Sequence, residues 1–515
     1  MKKHLFILIA SLFLCGTIFA QTPEHHWTAP TNTTSNQTTA IWVSLDDNFL
    51  DDPNIEVAAF IGENVTMSSF LQIIDPAFDH MFIWNTVNFE LDESGSTITF
   101  KMYNHTTMTE YDLCDETATA EINGKIGTAD DPFVLHFHSY FDKPVTGYNN
   151  FTNSDGGYYL IASPVAASIN PNEVEGMTDG SYDLYYFDQT HELEWVNYKN
   201  TPFNLESGKG YLYAHNSDIT LRFIGAPYNS NGTVTLEKKT GANVEFSGWN
   251  LVGNPWAETA YITKGFYTLD DQGYEVIAGE GNSVEAMQGI FVIADTDGEE
   301  MVFSTTSTAD ASKLVIDLSQ ERGDIIDRAV IKFSEGGTLP KFQLHADNTK
   351  LYIPQNDEDY AIVNASTEGD LPLCFKAAER GIYTLTVTVD ATEASYLHLI
   401  DNQAGIDQDM LSCPRYSFEA DVNDDPNRFV IQFHATATSI DEERFSPIAY
   451  NRDGSLTING IEGEAQLTII DMLGRVVSNE RFQGDIVRHI GNTPGVYVVR
   501  IVTEDNTYSQ KIVVE

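Results

Sequence analysis

The side chains in this sequence whose types and spacing could do chemistry are acidic turns and the aromatics that flank turns. Calcium takes several carboxylate and carbonyl oxygens at once, and Asp-rich turns supply them. Asp46, Asp47, Asp51 and Asp52 form one such group; Asp130 with Asp131 and Asp357 with Asp359 form others. Asp421, Asn423 and Asp425 begin like a helix-loop-helix calcium loop, D-x-N-x-D. Pro426 stands where that loop needs Gly and Gln432 where it needs a bidentate Glu, so a solvated turn competes with a Ca2+ site. Sugar binding is the second chemistry. Trp195, Tyr198, Trp249 and Trp256 sit near turns, where an exposed ring could stack on a pyranose. Aromatics in Gly- and Pro-bounded strands more often pack inward with their polar atoms bonded. His25 and His26 lie so near the expected mature N-terminus that they make a poor fixed metal pair.

Catalytic signatures are missing from the sequence. It contains no H-E-x-x-H, G-x-S-x-G or C-x-x-C, and no G-x-G-x-x-G between a strand and a helix. Ser207-Gly208-Lys209-Gly210 lacks the spacing, the Ser or Thr after Lys and the helix of a phosphate loop, so its glycines are read as turn residues. No residue is assigned a catalytic role and the expectation is a non-enzyme. A glycosidase pair assembled from distant strands would nevertheless leave no trace at this acidity.

Composition narrows the partners. Lys and Arg total 28 against 76 Asp and Glu, a net charge of −48. Such a field repels phosphate backbones and anionic lipid, which excludes nucleic acid as a partner. With 42% hydrophobic residues, 24 Tyr and 29 Phe, the chain has ample material for packed cores and is no disordered polymer.

The elements that must position these residues read as strands throughout. The expected class is all-β, several sandwiches in series. Residues 1–20 have the charges, apolar run and small-residue exit of a secretory signal, with Lys2, Lys3 and Ile18-Phe19-Ala20 as landmarks. Past the signal three cysteines remain, Cys114, Cys374 and Cys413, an odd count that favours free thiols over a disulfide framework; Cys374 and Cys413 could pair. Alternating runs over residues 21–140, such as Ile55 to Gly62 and Ser96 to Tyr103, predict one sandwich. Residues 149–308 carry an internal duplication: G-Y-Y-L-I-A-S-P-V from Gly157 and G-W-N-L-V-G-N-P-W from Gly248 share one pattern. Residues 313–434 predict another sandwich, with Y-T-L-T-V-T-V, Y-L-H-L-I-D and R-F-V-I-Q-F alternating at period two. Residues 435–445, rich in Thr and charge, read as a linker, and 446–515 as a small terminal sandwich.

That last segment holds D-M-L-G-R (Asp471 to Arg475), P-G-V-Y-V-V-R-I (Pro494 to Ile501) and K-I-V-V (Lys511 to Val514) in this order. The set resembles the type A C-terminal sorting domain of the bacterial type IX secretion system. The resemblance implies a sorting motif at Asp471, Gly474, Arg475, Gly495, Tyr497, Lys511, Val513 and Val514. It further implies export through the periplasm to the cell surface, removal of the domain by the secretion sortase and attachment to a surface polysaccharide. E-V-A-A-F-I-G-E in the first module resembles accessory sandwiches of secreted Bacteroidetes proteins. Y-L-H-L-I-D, C-P-R-Y-S-F-E-A and R-F-V-I-Q-F look like a sandwich that precedes this sorting domain in adhesin-like proteins of that phylum. The cargo is therefore expected to be a non-enzymatic adhesin or display module with a glycan or host-matrix ligand, or alternatively a carbohydrate-binding protein beside secreted hydrolases.

Overall fold

The structure is a computed structural model. It describes the chain from residue 23 onward except 148–156, 178–179, 242–243, 270–275, 279–282, 308–311, 321–324, 334–336, 343–347, 357, 391, 438–447, 453–454, 460–462, 472–474, 485, 490–494, 504–506 and 515. The expected signal (1–20), most of the expected linker and Gly474 lie outside the described residues. The fold is all-β: the described residues form strands joined by turns, with helical geometry confined to short 3₁₀ turns such as Pro171–Glu173. Two compact units emerge, residues 1–437 and residues 438–515.

In the first unit, strand identity follows side-chain period. Ser35–Thr39 alternates buried and exposed residues along its length, the signature of a half-covered strand. Ile55–Ile61 is buried at every position but the last, because other chain segments cover both its faces. It pairs with Asn64–Phe70 on one side and Thr97–Asn104 on the other. Ile41, Val57, Met67, Phe89, Phe100 and Phe137 lie in the core of this part. Tyr140–Val145 then pairs with Ile219–Ile224, so packing continues past residue 140 into the duplicated region.

The duplicated region forms two four-stranded sheets of identical strand order. In the first, Tyr159–Ala162, Gly210–His215, Tyr182–Phe187 and Trp195–Asn197 are neighbours in that order; in the second, Trp249–Gly253, Gly289–Ile293, Tyr267–Leu269 and Val276–Ala278 take the same places. Glycine is what lets the copies meet. A Cβ on Gly253 would stand 2.4 Å from Ala162 Cβ and 2.5 Å from the Lys209 carbonyl, and one on Gly210 would stand 2.6 Å from the Val252 carbonyl. Gly208 holds a turn at φ +83°, so the S-G-K-G sequence serves a turn and a close backbone approach together.

Residues 313–437 build an 11-stranded sheet that encloses its own core of Leu314, Ile316, Leu351, Leu385, Leu399, Ile431 and their neighbours. The Phe429–Ala437 strand pairs with Thr392–Asp401 through Ala437, running three residues into the stretch read as linker. The separation expected at 308–313 is bridged by packing: Phe342 sits 4.4 Å from Trp249 between ring centroids, and the Tyr267 hydroxyl accepts the Phe342 N–H at 3.0 Å.

The second unit is a small sandwich. One sheet orders Val476–Gln483, Glu464–Asp471, Gly495–Val502 and Thr507–Val514; the other joins Ile448–Arg452, Ser455–Asn459 and Ile486–His489. Leu456, Leu467, Ile469, Phe482, Val499, Ile501 and Ile512 fill the space between.

Candidate functional site

The sorting-motif residues converge at one end of one sheet. Asp471 stands opposite Tyr497, which stands opposite Ile512; Gly495 faces Val514, Val496 faces Val513 and Val498 faces Lys511. Asp471 closes the turn beside them, accepting from the Arg475 backbone N–H at 2.9 Å and its Nε at 2.7 Å. The motifs at Asp471, at Gly495 and Tyr497, and at Lys511 to Val514 thus become neighbours on three adjacent strands.

The four turn-flanking aromatics do not converge. Trp249 is 4% exposed and packs with Tyr267, Phe291 and Phe342. Trp195 is half-buried against Phe187 and Phe291 in that same cluster. Tyr198 packs on Phe203 in a different cluster, its hydroxyl beside Asn170 and Asn172. Trp256 donates Nε1–H to the Phe303 carbonyl at 2.8 Å and meets Tyr228 edge-on in a third. No exposed row forms, because each ring gains more by covering a sheet face than by standing in water.

Several of the acidic candidates are engaged by groups of the chain itself, and Asp357 lies outside the described residues. Asp421 accepts from the Asn423 N–H and Asp425 from the Asn427 N–H at 3.0 Å, while Asp424 accepts the Asp421 N–H. Asp46 binds the Ser139 backbone and hydroxyl, and Asp51 binds Met81 N–H and His80. Among the described residues no group of three His, Cys, Asp or Glu side chains is placed to hold a metal ion. Cys114, Cys374 and Cys413 are free thiols; burial pushes Cys114 up to about 12 and Cys374 up to about 11, far from nucleophilic range.

His25 and His26 are held rather than loose. Glu56, fully buried on the central strand, accepts from the His26 backbone N–H at 2.8 Å and meets His25 Nδ1 at 3.0 Å and His105 Nε2 at 2.7 Å; Ser68 donates to it as well. Burial alone would raise its pKa, but these donors outweigh burial and hold it below the ordinary value. His26 also stacks on Tyr103 at 3.9 Å. The segment docks because a buried carboxylate needs several donors and the chain supplies them from its own start.

A more open arrangement lies on the outer face of the large sheet. Along Thr392–Asp401, Leu397 and Leu399 point into the core while Tyr396 and His398 point out. Register carries those two outward rows across the neighbouring strands. Tyr396 faces His434, which faces Glu368; His398 faces Gln432, which faces Asp370. A bulge between Ala394 and Tyr396 interrupts the ladder, and Ser395 is its extra residue. Glu368, Asp370, Ser395, Tyr396, Gln432 and His434, together with Gly369 and Phe433, line a groove of about 660 Å³. The Tyr396 ring is 41% exposed and stacks nearly parallel on His398 at 4.2 Å. Its hydroxyl donates to Gln432 Oε1 at 3.3 Å. His398 Nδ1 lies 2.6 Å from Asp407, and His434 Nδ1 lies 3.4 Å from Glu368. Sequence reasoning passes these residues by, since Y-L-H-L reads as an ordinary alternating strand. The available signal is the outward phase of that alternation, which places an aromatic and an imidazole on the solvent face.

Comparison with known proteins follows the same division. Residues 452–515 match the secretion system C-terminal sorting domain family. The chain is thus a type IX secretion cargo, secreted and carried to the cell surface. No curated protein matches the chain. Among solved structures it aligns with PorZ, an essential surface component of the type IX secretion system of Porphyromonas gingivalis, at 10% identity and TM-score 0.14, over 92% of this chain and 70% of that one. It aligns also with dimeric latent PorU of Porphyromonas gingivalis at 11% identity and TM-score 0.11, over 73% of this chain and 34% of that one.

Proposed function

We propose that this cargo is a non-enzymatic surface module whose all-β body is displayed for adhesion after the terminal sandwich has been removed. The observation that carries the reading is the division of the chain: the sorting residues sit in a compact unit of their own, and all the remaining sheets belong to the other. A removable address needs that independence, because cleavage must leave the cargo's core whole. A binding role for the body is supported by an open groove across a sheet face, suited to contact and poor at excluding water. Attachment to surface polysaccharide by the system's sortase is part of this reading. In binding assays on immobilised host-matrix proteins and glycans, cells displaying the protein should adhere more than a deletion strain. Equal adhesion by both strains would refute the adhesive part of this reading, and turnover of a polysaccharide or peptide substrate by the purified chain would refute its non-enzymatic part.

A further inference from the structure

The groove on the outer sheet face has a chemistry more specific than general stickiness. Its lining offers the Tyr396 ring, which His398 stacks from one side, fixing the ring's orientation without a rotamer search on binding. The face of an aromatic ring carries the negative end of its quadrupole, so it attracts the slightly positive C–H bonds on the flat side of a pyranose. Around it stand groups that match sugar hydroxyls, which both donate and accept: the Gln432 amide does both, the Ser395 hydroxyl, which donates to the His434 carbonyl at 3.4 Å, accepts, and the Asp370 carboxylate accepts. The outward rows run across three hydrogen-bonded strands, giving the groove length along the direction a linear chain would follow.

Charge decides which glycans fit. Glu368 and Asp370 line the groove on a chain whose net charge is −48, so uronic or sulfated sugars would be repelled. A basic peptide is the competing ligand for such a border. One of these two carboxylates, Glu368, already has an imidazole partner in His434, which a lysine side chain would have to displace. A neutral sugar needs no such displacement.

We infer that this groove binds a neutral polysaccharide chain, with Tyr396 as the stacking platform and Gln432, Ser395 and Asp370 as hydroxyl partners. The inference deepens the adhesive reading and rests on it, in that binding matters to the cell only if the body is displayed. Calorimetric titration of the purified full-length chain with cellohexaose, mannohexaose and xylohexaose tests it, alongside heparin and poly-lysine. At least one neutral hexaose should bind. Tyr396→Ala should weaken that binding about tenfold while Tyr396→Phe, which keeps the ring, stays within about threefold. Tyr396 is exposed, so both variants should unfold with the parent and a lost signal cannot be ascribed to misfolding. Silence from all three hexaoses, equal binding by Tyr396→Ala, preference for heparin, or poly-lysine binding abolished by Glu368→Gln with Asp370→Asn would each overturn the inference. Whole-cell immunolabelling separates the two readings: a protein displayed on the surface that binds no neutral hexaose sinks the glycan inference and leaves surface display standing.

Discussion

Arg428 and Asp401 show how single residues hold the large sheet together. Both are buried, and the guanidinium meets the carboxylate through Nε at 3.0 Å and Nη2 at 2.7 Å while also donating to the Glu419 carbonyl. Removing one partner of such a pair strands the other charge, so Arg428→Ala should cost roughly 3–5 kcal/mol in urea unfolding. Burial by itself would raise the Asp401 pKa; Arg428, the Ala404 N–H and the Tyr416 hydroxyl outweigh it and keep it below the ordinary 3.8. A depressed folded pKa stabilises fully above the unfolded value, and that contribution is lost as pH falls through the folded one. The stability gap between parent and Asp401→Asn should therefore be widest at neutral pH and narrow as pH drops below 3.8; a gap that stays constant would contradict this. Arg475 makes the opposite case. It is 73% exposed, and its pair with Asp471 should contribute less than about 1 kcal/mol, so Arg475→Ala should unfold nearly with the parent. If that variant is nonetheless retained in the cell, the loss lies in recognition by the secretion machinery.

At the scale of elements, glycines set the spacing between the two duplicated sheets. Gly253→Ala would press a methyl against Ala162 and the Lys209 backbone, and should destabilise by about 1–3 kcal/mol. Chemical denaturation that shows no change would mean the copies can shift apart. The duplication was legible in the repeated Gly-aromatic-x-Leu pattern, because two copies of one pattern must make two copies of one strand order. The inward placement of Trp249 was not legible, since a strand beside a turn presents its ring to either side and only the arrival of Phe342 from a distant segment decides which. The groove was hidden for a related reason. Tyr396, Gln432 and Asp370 are brought together by register across strands far apart in sequence, and no local pattern encodes that register. His25 likewise reads as a free terminal residue until Glu56 is seen buried beneath it.

At the scale of the whole molecule, the strongest sequence signal and the clearest structural division coincide. The terminal motifs were readable because turn chemistry and alternation fix them locally; the ligand of the body was not, because ligand chemistry resides in outward residues that strand periodicity treats as interchangeable. Each unit has its own apolar core, so loss of the terminal one should leave the body folded. The central claim is that the terminal unit is an address. Its last strand, Thr507–Val514, pairs with Gly495–Val502 along its whole length, and removing Lys511 to Glu515 deletes the partners of Gly495, Val496, Tyr497 and Val498. Fractionation and surface labelling of cells that produce this truncation test the claim most directly. The account predicts protein trapped in the periplasm with none labelled on the surface; normal surface display of the truncated chain would contradict it.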